Sequence, residues 1–160
     1  TGNVMLAADP SKRGRFAVGV LSAGSKESVI YVTTDGGAMW GRPTTVSEDS
    51  TKVHQRPWMA FSPQGVLGLM WRTNEPGPGP TYPYTVWAAI SNGGGTTFSR
   101  PLQISTAPSP APDPSYLGSD DLSFINLTRE EAIIGWADWR PGDRSGFVST
   151  VKLEAFMHAR

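Results

Sequence analysis

The sequence predicts an all-β fold built from successive four-stranded antiparallel units, and three observations carry that prediction. Gly (18) and Pro (14) make up about a fifth of the 160 residues without a collagen period, as in chains of many short strands and frequent turns. Short runs of β-formers recur between turn residues. A glycine-rich corner also occurs twice. Thr33 to Trp40 reads T-T-D-G-G-A-M-W and Ser91 to Phe98 reads S-N-G-G-G-T-T-F, each after a strand-like run, with the aromatics 98 − 40 = 58 residues apart. Adjacent glycines supply the positive φ of a tight hairpin. Asp35 can accept hydrogen bonds from N–H groups just ahead of it, and Trp40 is expected to pin the turn onto its sheet.

Taken in order, the first unit (residues 1–48) offers strands at Val4–Ala8, Phe16–Leu21, Ser28–Thr33 and Pro43–Ser47. The second (53–105) offers Pro57–Phe61, Val66–Trp71, Tyr84–Ser91 and Pro101–Ser105. The third (116–160) offers Asp121–Asn126, Ala132–Trp136 and Phe147–Leu153 without a clear fourth strand, and Leu153–Arg160 suits a short helical turn. Val66–Trp71 and Ala132–Trp136 are almost continuously apolar, as strands covered on both faces are; a buried helix is the competing reading, and the shortness of both runs favours strands. Trp58, Trp71, Trp87 and Trp136 lie inside strands and are expected in the core. The Pro-rich stretch at 106–115 is read as an extended surface connection within one domain, rather than a domain boundary.

Charge narrows the function classes. Lys plus Arg and Asp plus Glu both number 14, so no bulk electrostatic argument favours nucleic acid or a membrane surface. No apolar stretch is long enough to span a bilayer as a helix. Cysteine is absent and His54 and His158 lack ligand-like spacing, so neither disulfides nor a metal site nor any cofactor is expected. The chain opens at Thr1 without Met, which suggests a processed product or part of a longer protein; self-cleavage exposing a Thr1 nucleophile is the sharper alternative.

The first corner resembles the Asp box of the bacterial neuraminidase repeat, S/T-x-D-x-G-x-x-W/F. Thr33, Asp35, Gly37 and Trp40 match each position, and the second copy keeps Ser91, Gly95 and Phe98 with Gly93 in the Asp place. The resemblance implies a β-propeller of the sialidase superfamily. Propellers close with roughly four to eight blades, so this chain would supply about three blades of a six-bladed one, an arc with two unpaired sheet faces. The resemblance further implies a secreted, periplasmic or extracellular protein, a glycan as ligand or substrate, and a second chain or symmetry mate completing the ring. The box is structural in that family, so Asp35 is no catalytic candidate.

In such a blade the turn after the third strand lies on one face, and the loops before the first strand and after the second lie on the other. That second face collects His54-Gln55-Arg56, Arg72 to Tyr82, Tyr116 to Asp121 and Asp138 to Arg144. Arginines grip carboxylates or hydroxyls and aromatic faces stack on sugar rings. The substrate-binding candidates are therefore Arg56, Arg72, Arg140, His54, Tyr82 and Trp139, and the catalytic candidates Asp121, Asp138, Asp120 and Tyr116.

Against the sialidase pattern, Arg72 stands 72 − 65 = 7 residues after Gly65, as one arginine of the family's triad does. Trp136-Ala137-Asp138-Trp139-Arg140 looks like the W-x-D-x-R of secreted propellers of this class. Ser119-Asp120-Asp121-Leu122 resembles the stretch that carries the nucleophilic Tyr, but Asp121 occupies the Tyr place. Gln55 and Arg56 stand where a Glu is expected. An Asp in the Tyr place would repel the carboxylate of an anionic sugar, so a glycan other than ordinary sialosides is expected. Two functions stay open, a glycoside hydrolase working with paired carboxylates and a non-catalytic propeller that binds glycan or protein. Asp138 and Arg140 equally suit a structural ion pair.

Overall fold

The computed structural model describes residues 4–74, 83–110 and 123–158. It is all-β, with three antiparallel sheets in chain order. The first holds β1 (Val4–Ala8), β2 (Phe16–Leu21), β3 (Ser28–Thr33) and β4 (Thr44–Val46). The second holds β5 (Val53–Phe61), β6 (Leu67–Asn74), β7 (Tyr84–Ser91) and β8 (Leu102–Gln103). The third holds β9 (Ser123–Leu127), β10 (Glu131–Asp138) and β11 (Ser145–Lys152). Each is a meander in which sequence neighbours pair, the connection that short loops favour. Where a fourth strand would follow β11, the chain forms a short helix, α1 (Leu153–Met157).

The second sheet is buried on both faces. Met59, Phe61, Leu67, Leu69, Trp71 and Ala89 pack against Met5, Ala7, Ala17 and Ile30 of the first sheet. On the other side Met70, Val86, Ala88 and Ile90 pack against Ile125, Leu127, Ala132, Ile134 and Trp136 of the third. Every residue of β6 except Asn74 is buried, which is why its sequence lost the polar alternation of a half-exposed strand. β10 reaches its apolar run differently. Ala132, Ile134 and Trp136 face the second sheet, and its other face meets no further sheet among the described residues.

Close approach depends on a glycine at the centre of the middle strand. A Cβ on Gly68 would stand 2.7 Å from Leu127 Cδ1 and 2.9 Å from Ile125 Cδ1. The absence of a side chain lets β9 side chains settle on the backbone of β6.

The two glycine corners share one backbone geometry. Gly37 N–H donates to Thr33 Oγ1 (3.0 Å) and Gly95 N–H to Ser91 Oγ (2.7 Å). Gly41 N–H donates to Val32 O (2.8 Å) and Ser99 N–H to Ile90 O (2.7 Å). Gly36 and Gly37 have φ of 77° and 98°, and Gly94 and Gly95 66° and 106°, values glycine adopts without penalty. Asp35 closes the first corner by bonding Thr33 Oγ1 (2.7 Å) and Met39 N–H (3.0 Å). The aromatics differ: Phe98 packs against the core between the first two sheets, whereas Trp40 is 45 % exposed.

Several expectations shift. β5 starts at Val53 and β6 runs to Asn74, so His54, Gln55, Arg56 and Arg72 sit on strands rather than in the loops beside them. Trp71 and Trp136 are core, but Trp58, which resumes the β5 ladder just after the bulge, is 53 % exposed. The start of the Pro-rich connection is anchored rather than superficial: Ser109 is buried and bridges to Tyr84. The remainder of that stretch lies outside the described residues.

The stacking gives a direct test. Gly68→Val should destabilise the protein by about 1–3 kcal/mol, the usual range for overpacking a filled core, read as a lower urea midpoint with an unchanged slope. An unaffected midpoint would show that the second and third sheets do not pack at this distance.

Candidate functional site

The glycine corners lie at one end of the sheets. At the opposite end the start of β5, the end of β6, the start of β7 and the β10–β11 turn come together. His54, Arg56, Arg72, Asp138, Trp139 and Arg140 are all found at this end. Tyr82, Tyr116, Asp120 and Asp121 lie outside the described residues.

Backbone irregularity marks the entry of β5. The ladder with β6 slips between Gln55 and Trp58, and Arg56 adopts φ of 49°. A β-bulge of this kind re-aims side chains, and a non-glycine residue in the left-handed region is held there only by its surroundings. Pro57 cannot donate to the ladder, so Gln55-Arg56-Pro57 reads, after the fact, as a bulge signal.

A buried polar cluster supports this strand. Glu48, from the β4–β5 connection, accepts from Trp71 Nε1 (2.6 Å) and from Thr73 Oγ1, and its Oε2 lies 3.0 Å from His54 Nε2. The His54 ring stacks on Trp71 with centroids 5.3 Å apart. Burial alone would raise the Glu48 carboxyl, but hydrogen bonds from His54 and Thr73 outweigh it and hold the group below its ordinary value. Glu48 was not singled out by sequence, since no spacing rule links it to Trp71 and Thr73. His54, a substrate-binding candidate, is fully buried in this cluster.

The second cluster joins the second and third sheets. The Arg72 guanidinium, itself buried, lies 4.3 Å from the centre of the Tyr84 ring, and the Tyr84 hydroxyl donates to Ala137 O. Burial pushes the Tyr84 phenol up. Asp138 is fully buried; its Oδ2 accepts from Trp136 Nε1 (2.9 Å) and Arg140 Nη2 (2.7 Å), and its Oδ1 from Arg140 N–H (2.9 Å). Burial would raise this carboxyl too, yet the bonds from Arg140 and Trp136 leave it below its ordinary value. Arg140 also reaches Thr106 Oγ1 (3.2 Å) and covers the Phe147 ring at 4.9 Å. Asp138 and Arg140 thus form an ion pair within the β10–β11 turn, Arg140 links that turn to Thr106 beyond β8, and the Trp139 backbone N–H donates to Ser109 Oγ (3.0 Å).

A groove of about 610 Å³ opens at the same end, along the third sheet. Trp58, Ser123, Phe124, Trp136 and Arg144 contribute to its walls. Its aromatic floor and polar edge suit a ligand with both apolar faces and hydroxyls.

The carboxylates of the two clusters give a pH prediction. Folded Glu48 and Asp138 titrate below their ordinary values of 4.5 and 3.8. Their stabilisation is fully present above those values and is lost as pH falls through the lower folded ones. Glu48→Gln should therefore flatten the acid side of a stability–pH profile and cost about 1.5–3 kcal/mol at pH 7, the range for hydrogen bonds to a charged group. Chemical denaturation from pH 3 to 7 reads both effects.

No protein-family model matches the chain, and no curated protein matches it in sequence.

Proposed function

We propose that the three sheets are consecutive blades of a β-propeller of the sialidase-like class, and that the end carrying Arg56, Arg72 and Arg140 recognises a glycan other than ordinary sialosides. The observation that carries this reading is the groove beside the third sheet. It presents the half-exposed indole of Trp58 and the ring of Phe124 with Arg144 and Ser123 at the margin. Aromatic faces supply the apolar platform for a sugar ring, and forked guanidinium groups and hydroxyls meet its polar edge.

Two carboxylates of this end, Glu48 and Asp138, favour binding. Glu48 and Asp138 are buried, ionised and hydrogen-bonded to neighbours of this chain, so they order the rim instead of standing ready to transfer a proton. Hydrolysis is the second reading, and one placement favours it: Ser123 lines the groove and follows Asp121 by two residues. Asp120 or Asp121, with Tyr116 near in sequence, would then provide the acid, base or nucleophile of a glycosidic cleavage.

A panel of neutral and anionic oligosaccharides, titrated by calorimetry and assayed for release of reducing ends, tests both readings. Trp58→Ala and Arg56→Ala should each weaken binding about tenfold or more, equivalent to 1.4 kcal/mol, with Trp58→Ala leaving the unfolding midpoint unchanged. Asp121→Asn should abolish turnover and preserve binding if the rim hydrolyses its ligand. A protein that neither retains nor cleaves any member of the panel is not a carbohydrate-active one.

A further inference from the structure

The interfaces inside this chain show which kind of sheet face mates with which. In each sheet a row of three paired residues has glycine at its centre: Met5–Gly19–Ile30, Ala60–Gly68–Ile90 and Phe124–Gly135–Val148. The first row faces the second sheet and the second row faces the third. What packs on them is the opposite face of the following sheet, with a bulky apolar residue on each side of the glycine position. In the second sheet these residues are Leu67 and Leu69, and in the third Ile134 and Trp136.

Among the described residues, one face of each kind stays open. Among the described residues the nearest atoms over the third glycine row belong to its own Phe124, and Phe124 and Val148 are 44 % and 64 % exposed. On the first sheet the rows Leu6–Val18–Tyr31 and Val4–Val20–Val29 form the bulky face. Val4 and Leu6 are 70 % and 71 % exposed there. A solvent-facing antiparallel sheet carries polar residues on its outer side, and these two rows carry no charge at all. On the open face of the third sheet Glu131 and Lys152 pair with each other at 2.9 Å, with Glu130 Oε2 3.9 Å from the same ammonium. Phe98 and Phe156 both enter interfaces between sheets. Trp40, at the place of Phe98 in the first corner, has no such interface among the described residues.

We propose that the occupant of both open faces is a second copy of this chain, its first sheet seated on the third sheet of its partner and the reverse. A two-fold axis satisfies both contacts at once and closes a ring of six blades, within the usual propeller range. In the register of the internal interfaces, Leu6 takes the strand position of Ile125, which settles on Gly68, and meets the Phe124 ring that already covers Gly135 of the other copy. The incoming sheet would also add a wall to the groove at Phe124. The pairing rests on the blade reading of the sheets and is independent of glycan recognition.

The chain has no native cysteine, which makes thiol cross-linking clean. Light scattering should give twice the mass of one chain. The double variant Leu6→Cys/Phe124→Cys should form a disulfide-linked dimer on oxidation, and neither single variant should do so alone. Leu6→Glu should yield a monomer whose circular dichroism retains its β signal. A monomeric unsubstituted chain overturns the proposal and leaves both faces to residues other than these 160, and a Leu6→Cys variant that cross-links to itself overturns it in favour of face-to-face pairing. If the Leu6→Cys and Phe124→Cys variants both react freely with a maleimide while β6 amides stay protected from exchange, the pairing is wrong and the stacked sheets stand. Loss of protection in β6 would instead defeat the blade reading itself.

Discussion

The packing of the second sheet between the other two is the constraint on which the rest of the structure depends. An antiparallel sheet covered on one side tolerates polar residues on the other, but β6 has a sheet on each side and carries Leu67, Leu69, Met70 and Trp71 almost without interruption. Two apolar faces can approach only if some position yields space, and Gly68 yields it where Ile125 and Leu127 descend. Each fully buried aliphatic side chain contributes about 1.5–3 kcal/mol, and most of the core lies in these two interfaces. The sheets therefore hold their order through side-chain interlock rather than through hydrogen bonds between them.

Polar groups then have to be satisfied at the two ends of the stack, and the ends are built differently. At the glycine-corner end Arg15 pairs with Asp9 and reaches Gly65 O at 3.3 Å, tying the first turn of one sheet to that of the next. The corners themselves consume their backbone donors with Thr33, Asp35 and Ser91. At the opposite end two buried carboxylates gather donors, Glu48 from β5 and β6 and Asp138 from Trp136 of its own strand and Arg140 of the following turn. A buried acid with all its bonds made is a rigid joint. It fixes the strand ends around the Arg56 bulge, and a preorganised rim is what recognition of a polyhydroxylated ligand requires. The bulge stores backbone strain of the kind found where side chains are aimed at a ligand.

Much of the fold was legible because β periodicity and turn chemistry are local. The strands at Val4–Ala8, Phe16–Leu21, Ser28–Thr33 and Tyr84–Ser91 were read with their observed bounds, since Gly, Pro and Asp punctuate them. Where that punctuation conflicts with pairing, local reading fell short: β5 runs through Pro57 back to Val53 because the bulge accommodates the proline. The rim was legible only as a list of residues at one end. That Arg72 would lie over Tyr84, that His54 would stack on Trp71, and that Glu48 would sit beneath both strands depend on contacts between segments far apart in the chain. Trp58 and Trp71 look alike in sequence, each an indole inside an apolar run, yet one is exposed and the other fully buried.

By itself the sequence determined an all-β chain with two equivalent glycine corners, because glycine's access to positive φ and the alternation of side chains along a strand act within a few residues. Only the tertiary structure decided which faces are covered, which arginines are spent on internal partners and where a groove opens, because burial is a property of neighbouring sheets and is set by packing across the whole stack.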